Sequence, residues 1–255
     1  MNHFADGVKK SFLIVLLLGL LVAHAQHIAS SRDSLPAKRP AIHWRKVVLM
    51  PSVLIGAGLL STTDNEVFDK FEIHEERQKD FPGFRTHIDD YLQYAPIAAV
   101  YGLNLAGIKG EHDFVNRTVL MMKSEIIMMA MVIPLKKWTA VPRPDTGSKN
   151  SFPSGHTAQA FAAATFLHKE YGKDHPLYSV LAYSAATGVG VLRVMNNRHW
   201  VSDVLAGAGI GILATNLAYA THRNKWGSHT KKGREVVIAP TYSQQSMGMY
   251  LLVKM

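Results

Sequence analysis

A chain of 255 residues with no internal repeat has room for one domain with a real core, and without cysteine it can hold no disulfide framework, thiolate zinc site or cysteine nucleophile. Its 28 Lys and Arg against 19 Asp and Glu leave a net charge of +9, an excess that suits an anionic partner: nucleic acid, an anionic membrane or a phosphorylated substrate. The first element reads as an export signal over residues 1–25, in which Lys9 and Lys10 precede an apolar run from Phe12 to Ala23 and the small-residue pattern Ala23-His24-Ala25. Cleavage after Ala25 and retention as an anchor are the two outcomes, the run being short for a span of about 20 residues.

Residues 26–46 form a basic linker, with Arg32, Lys38, Arg39, Arg45 and Lys46 against Asp33 alone. Six apolar helices are expected next, at 47–60, 91–108, 119–138, 156–168, 177–195 and 203–221, within a helical domain spanning 47–222. Between the first two, residues 61–90 carry nine acids against four Lys or Arg and read as a solvated helix or loop to which no chemistry is assigned. The Met-rich run "MMKSEIIMMAMVIP" reads as packing or lipid-facing surface. Residues 223–255 are a basic segment and tail, where "EVVIAP" and "MGMYLLVKM" suggest a short β-like hairpin.

Lys109 and Arg117, then Lys169 and Lys173, then Arg223, Lys225, Lys231, Lys232 and Arg234 fall in alternate connections. If the helices span a membrane, this asymmetry makes those ends cytoplasmic and turns the opposite ends outward. Lys123 and Glu125 inside one apolar run keep hydropathy alone from requiring a span.

The opposite ends carry the chemistry. In "KKWTAVPRP", Lys136 and Arg143 are seven apart, with Pro142 and Pro144 ending the helix. In "NSFPSGHTAQAF", Ser154 can cap a helix whose free N–H groups attract an oxyanion, with Gly155 and His156 at its start. In "LRVMNNRHWVSD", Arg193 ends a helix, Asn196 and Asn197 make a turn, and His199 and Asp203 lie four apart at the start of the next. Each feature alone has an ordinary structural reading: a helix-start histidine, a local ion pair, helix-end cations. Together, three fixed cations, a helix N-terminus, two histidines and a carboxylate are an inventory for phosphoryl transfer. The cations hold phosphate oxygens without a metal, one histidine attacks phosphorus, and the other, His156, protonates the leaving oxygen.

Order and spacing of these residues resemble the type 2 phosphatidic acid phosphatase superfamily, which includes bacterial nonspecific acid phosphatases and vanadium haloperoxidases. Its motifs are Lys-x6-Arg-Pro, Pro-Ser-Gly-His and Ser-Arg-x5-His-x3-Asp, and ten specified residues between Lys136 and Asp203 match. The resemblance covers roughly residues 90–221 and implies an all-α six-helix bundle associated with a membrane. It further implies His199 as nucleophile forming a phosphohistidine, Asp203 orienting it, and His156 as acid and then base. Lys136, Arg143, Ser154, Gly155 and Arg193 would bind phosphate, with no metal and no cofactor. Leu192 stands where the family has serine, removing one hydroxyl donor. The expected activity is phosphatase action on a membrane lipid phosphate of the phosphatidate, polyprenyl pyrophosphate or lipid A type, with no nucleic acid partner. The expected place is the bacterial cell envelope, in the inner membrane facing the periplasm or in the periplasm itself. Alternatives are a soluble periplasmic acid phosphatase on small esters, a vanadium haloperoxidase and a non-catalytic lipid-phosphate binder.

Overall fold

The computed structural model describes residues 43–61 and 70–222, and the backbone of 235–243 and 246–254. The expected signal segment and most of the basic linker lie outside the described residues. Eight helices are present among them: α1 (Trp44–Leu60), α2 (Lys70–Asp80), α3 (Ile88–Leu92), α4 (Ala95–Leu105), α5 (Phe114–Thr139), α6 (Gly155–Tyr171), α7 (Pro176–Met195) and α8 (Val201–Ala220). Five of the expected apolar helices are each one helix, whereas the run expected at 91–108 breaks at Gln93 and Tyr94, between α3 and α4. With α2 and most of α3 arising from the acid-rich stretch, eight described helices replace the expected six. Near the C-terminus, β1 (Glu235–Ser243) and β2 (Ser246–Lys254) pair antiparallel, with Glu235 opposite Lys254 and Ser243 opposite Ser246.

Helix boundaries follow local chemistry. The Asp113 carboxylate accepts from the backbone N–H groups of Val115 and Asn116 to start α5, and Ala140 in the left-handed region (φ 47°) stops it. Ser154 caps α6, and Pro176 opens α7, where a missing N–H costs nothing. Asn197, at φ 60°, makes the tight turn from α7 toward α8, a conformation asparagine tolerates better than most residues.

Helix α8 is the hub, and small residues let its neighbours approach. A Cβ on Gly207 would sit 2.5 Å from the Ser154 carbonyl oxygen, and one on Gly211 would collide with that of Ala158, so α6 lies backbone against backbone on α8. On the other side, a Cβ on Gly58 of α1 would meet the Ser202 carbonyl oxygen and the Ala206 nitrogen at 2.8 Å. At the far end, Asn216 Nδ2 donates to the Val47 carbonyl at 3.1 Å, so α1 runs antiparallel to α8. Helix α5 is antiparallel to α8 as well, since Lys123 donates to Thr221 Oγ1 and the Ala218 carbonyl, while Met128 and Val132 pack with Ile210.

This arrangement brings the C-termini of α5 and α7 and the N-termini of α6 and α8 to one end of the bundle. Cations at the first pair and histidines at the second therefore share a face. Helices α5, α7 and α8 are long and apolar enough to cross a membrane; that of α8 is 83% buried within the protein and that of α5 only 22%.

At the opposite end Arg117 corrects the charge count. It is fully buried, with Nε donating to Glu170 Oε2 at 3.1 Å, so it is an internal ion-pair partner and not a loop cation. Tyr219 and His112 bond the same carboxylate, at 2.6 and 2.9 Å.

Candidate active site

The three motifs meet at the shared end. Lys136, in the last turn of α5, points Nζ at the Asn150 and Ser151 carbonyls, 2.7 and 3.2 Å away, and Gly155 lies beside its stem. Two of its three ammonium donors are thereby placed. Arg143 lies in the loop beyond α5, not on the helix end, and Nε donates to Asn150 Oδ1 at 2.7 Å, leaving the terminal guanidinium nitrogens for a ligand. Burial lowers its pKa, and the neighbouring Arg193 charge lowers it further, against the opposing pull of Asp145.

Ser154 is fully buried, and its hydroxyl accepts from the Thr157 hydroxyl at 2.9 Å and caps the Thr157 N–H at 3.4 Å. Its backbone N–H donates to the Asp203 carbonyl at 2.9 Å, fastening the second motif to the third. Gly155 and His156 form the first turn of α6.

His199 sits before α8 and not within it, since the helix begins at Val201. Its Nδ1 still lies 3.2 Å from Asp203 Oδ2, because that carboxylate folds back over the helix start and also accepts from the Trp200 N–H at 2.9 Å. One residue thus caps α8 and orients the imidazole. Ser151 completes the arrangement: its hydroxyl donates to Asp203 Oδ2 at 2.5 Å and lies 3.4 Å from His199 Nδ1. With Nδ1 engaged, Nε2 is the nitrogen left for chemistry. Burial pushes the His199 pKa down to about 4 against the opposing pull of Asp203, so the imidazole is neutral near pH 7.

Sequence reasoning missed the contribution of α3. Arg193 Nη1 donates to Asp89 Oδ2 at 2.7 Å, and Asp89 is fully buried, with its other oxygen accepting from Asn196 Nδ2 at 3.1 Å. Arg193 Nε is buried without a partner among the described residues. The adjacent Asp90 bonds His156 Nε2 at 3.0 Å. Helix α2 closes the outer side of the third motif: Arg77 donates to the Met195 and Phe84 carbonyls, and Phe71 packs edge-on to Trp200 with ring centroids 5.6 Å apart. A cleft between them is lined by His74, Arg77, Pro144, Asn197, His199 and Trp200. The stretch read as solvated surface therefore furnishes Asp89 and Asp90 to the site and Phe71, His74 and Arg77 beside it. Acid richness alone could not mark Asp89 and Asp90 among nine acids. Asn150 and Ser151 flank the second motif and carried no signal beyond that proximity.

The geometry assembles three cations, two histidines each paired to a carboxylate, and the capped start of α6. Such a site can hold a tetrahedral anion while one imidazole attacks and the other transfers a proton.

The chain is similar to known proteins. A lipid A 1-phosphatase of Porphyromonas gingivalis is 35% identical over 230 residues, 83% of this chain; the chain spans 50% of that relative's length. The crystal structure of Aquifex aeolicus LpxE is similar with a TM-score of 0.45 and 21% identity, over 58% of this chain and 93% of that one. The PAP2 superfamily model matches residues 118–227, a stretch holding all three motifs, which the fold brings together at one end of the bundle.

Proposed function

We propose that this protein is a metal-independent phosphatase that removes a terminal phosphate from a membrane lipid phosphate through a phosphohistidine at His199. The observation that carries this reading is the His199 ring, fixed through Nδ1 by Asp203, with the Lys136 and Arg143 charges acting on it and Arg193 neighbouring Arg143. Nε2 attacks phosphorus, and as the N–P bond forms the P–O bond to the lipid breaks, its oxygen taking a proton from His156. A water then attacks phosphorus, passes a proton to His156 and cleaves the N–P bond. Inorganic phosphate leaves and both histidines return to their starting states. Lys136, Arg143, Arg193 and the first N–H groups of α6 offset the charge on the equatorial oxygens throughout.

The exposed face of α5 supports a lipid setting. Met122, Ile126, Met129 and Ile133 follow helical spacing down one side, each half exposed or more, and Trp138 at the site end is 84% exposed. An apolar stripe ending in tryptophan suits a helix facing acyl chains with its tip among the headgroups. The site end would face the periplasm. The name of the Porphyromonas gingivalis relative makes a lipid A 1-phosphate the first substrate to try.

The test is phosphate release in detergent micelles from lipid A 1-phosphate, phosphatidate, phosphatidylglycerophosphate, undecaprenyl pyrophosphate and a small soluble ester. A lipid phosphate should exceed the soluble ester in kcat/KM. The reverse ranking would replace this reading with the acid phosphatase one.

A further inference from the structure

We propose that Asp90 is a positioning residue for His156, holding its ring through Nε2 so that a charged imidazole presents Nδ1 to the leaving oxygen. This role presupposes the phosphatase reading above. The two histidines are paired in opposite senses: Asp203 engages Nδ1 of His199 and frees Nε2, whereas Asp90 engages Nε2 of His156 at 3.0 Å. No described residue bonds Nδ1 of His156.

The charges around His156 explain why it needs such a partner. Arg193 on α7 faces it with a fixed positive charge, and Lys136 on α5 lies across Gly155. On α3, Asp89 is already committed to Arg193 at 2.7 Å and to Asn196 at 3.1 Å. Asp90 is the carboxylate bonded to the imidazole itself. Its second oxygen lies 3.1 Å from Nδ1 of the exposed His87, and Arg193 Nη1 is 3.7 Å from the first. Burial and Arg193 both lower the pKa of His156, and the Asp90 hydrogen bond opposes them. Removing the carboxylate leaves the acid short of its proton in the first step.

The sign follows directly. A carboxylate partner raises the pH at which the imidazole loses its proton, so Asp90→Asn lowers it. The experiment is a histidine ¹⁵N NMR titration of the full chain in detergent micelles, with the His156 signal assigned by its loss in His156→Gln. In the wild type Nε2 should carry the proton in the neutral ring, and the His156 midpoint should fall in Asp90→Asn and stay near wild type in Asp90→Glu. In parallel, the alkaline limb of kcat/KM for phosphate release should move to lower pH in Asp90→Asn by the same amount. An unchanged midpoint in Asp90→Asn, or a wild-type tautomer with Nδ1 protonated, overturns the proposal. Because the titration needs no turnover, its failure is distinct from failure of the phosphatase reading, which would appear as wild-type protein releasing no phosphate. Misfolding of Asp90→Asn would be seen in the His199 signal; Asp90→Ser then supplies the same comparison.

Discussion

The Ser154 backbone N–H donates to the Asp203 carbonyl at 2.9 Å, and directly beside that bond a Cβ on Gly207 would stand 2.5 Å from the Ser154 carbonyl oxygen. The start of α6, the proposed anion-binding end, is thus registered against the start of α8, where Asp203 meets His199. Gly207→Val should force the helices apart at a cost of roughly 1–3 kcal/mol. Thermal unfolding should show the loss of stability, and vanadate inhibition should weaken because the phosphate cradle widens with it.

Asp203→Asn should leave substrate binding nearly intact and lower kcat by at least ~100-fold, since a neutral amide oxygen in place of Oδ2, which meets both His199 Nδ1 and the Trp200 N–H, no longer offsets the positive charge the ring gains as Nε2 bonds phosphorus. Ser151→Ala removes the hydroxyl that donates to the same carboxylate and should cost about tenfold in kcat, with little change in KM. Steady-state kinetics of both variants check the ranking. A Ser151→Ala enzyme weaker in binding alone would place that hydroxyl on the substrate instead.

The two histidines set the pH dependence. In the proposed mechanism attack requires neutral His199, whose pKa burial lowers to about 4, so kcat/KM should fall on the acid side only as pH drops toward that value. Protonation of the leaving oxygen requires charged His156, whose pKa burial and Arg193 hold below the usual 6.5, so the alkaline limb should begin under that value. A bell with a mildly acidic maximum is expected in a profile of kcat/KM against pH. His199 also links stability to pH. Its folded pKa lies below the unfolded value, so the unfolded chain binds more protons between about 4 and 6.5, and stability should decline as pH falls through that window.

Far from the site, Arg117→Ala would leave the Glu170 carboxylate buried without its guanidinium partner. The expected loss is about 3–5 kcal/mol, visible as a lower melting temperature in detergent. Activity per folded molecule should remain near wild type, because the pair closes the opposite end of the bundle.

Much of this was legible in the chain itself. Apolar runs marked six helices, and the motif residues marked one end of them, because helix-end prolines, Ser154 and the Asn196–Asn197 turn are local signals with local causes. What the sequence concealed was long-range. Asp89 meets Arg193 across 104 positions, and Asp90 meets His156 across 66; no periodicity encodes either pairing. The capping role of Asp203 was also hidden, since an i, i+4 pair reads as one helix face until the carboxylate is seen folding back onto the Trp200 N–H. Arg117 looked like a surface charge for the same reason: its partner is 53 residues away.

The most direct test of the central claim is to trap the covalent intermediate. Protein mixed with ³²P-labelled lipid phosphate and quenched in alkali, where a phosphorus–nitrogen bond survives, should yield label on the peptide containing His199. The label should be absent from His199→Ala and should build up in His156→Gln if the second histidine assists hydrolysis of the intermediate more than its formation. Rapid turnover with no labelled peptide, or label on a residue other than His199, would contradict the account.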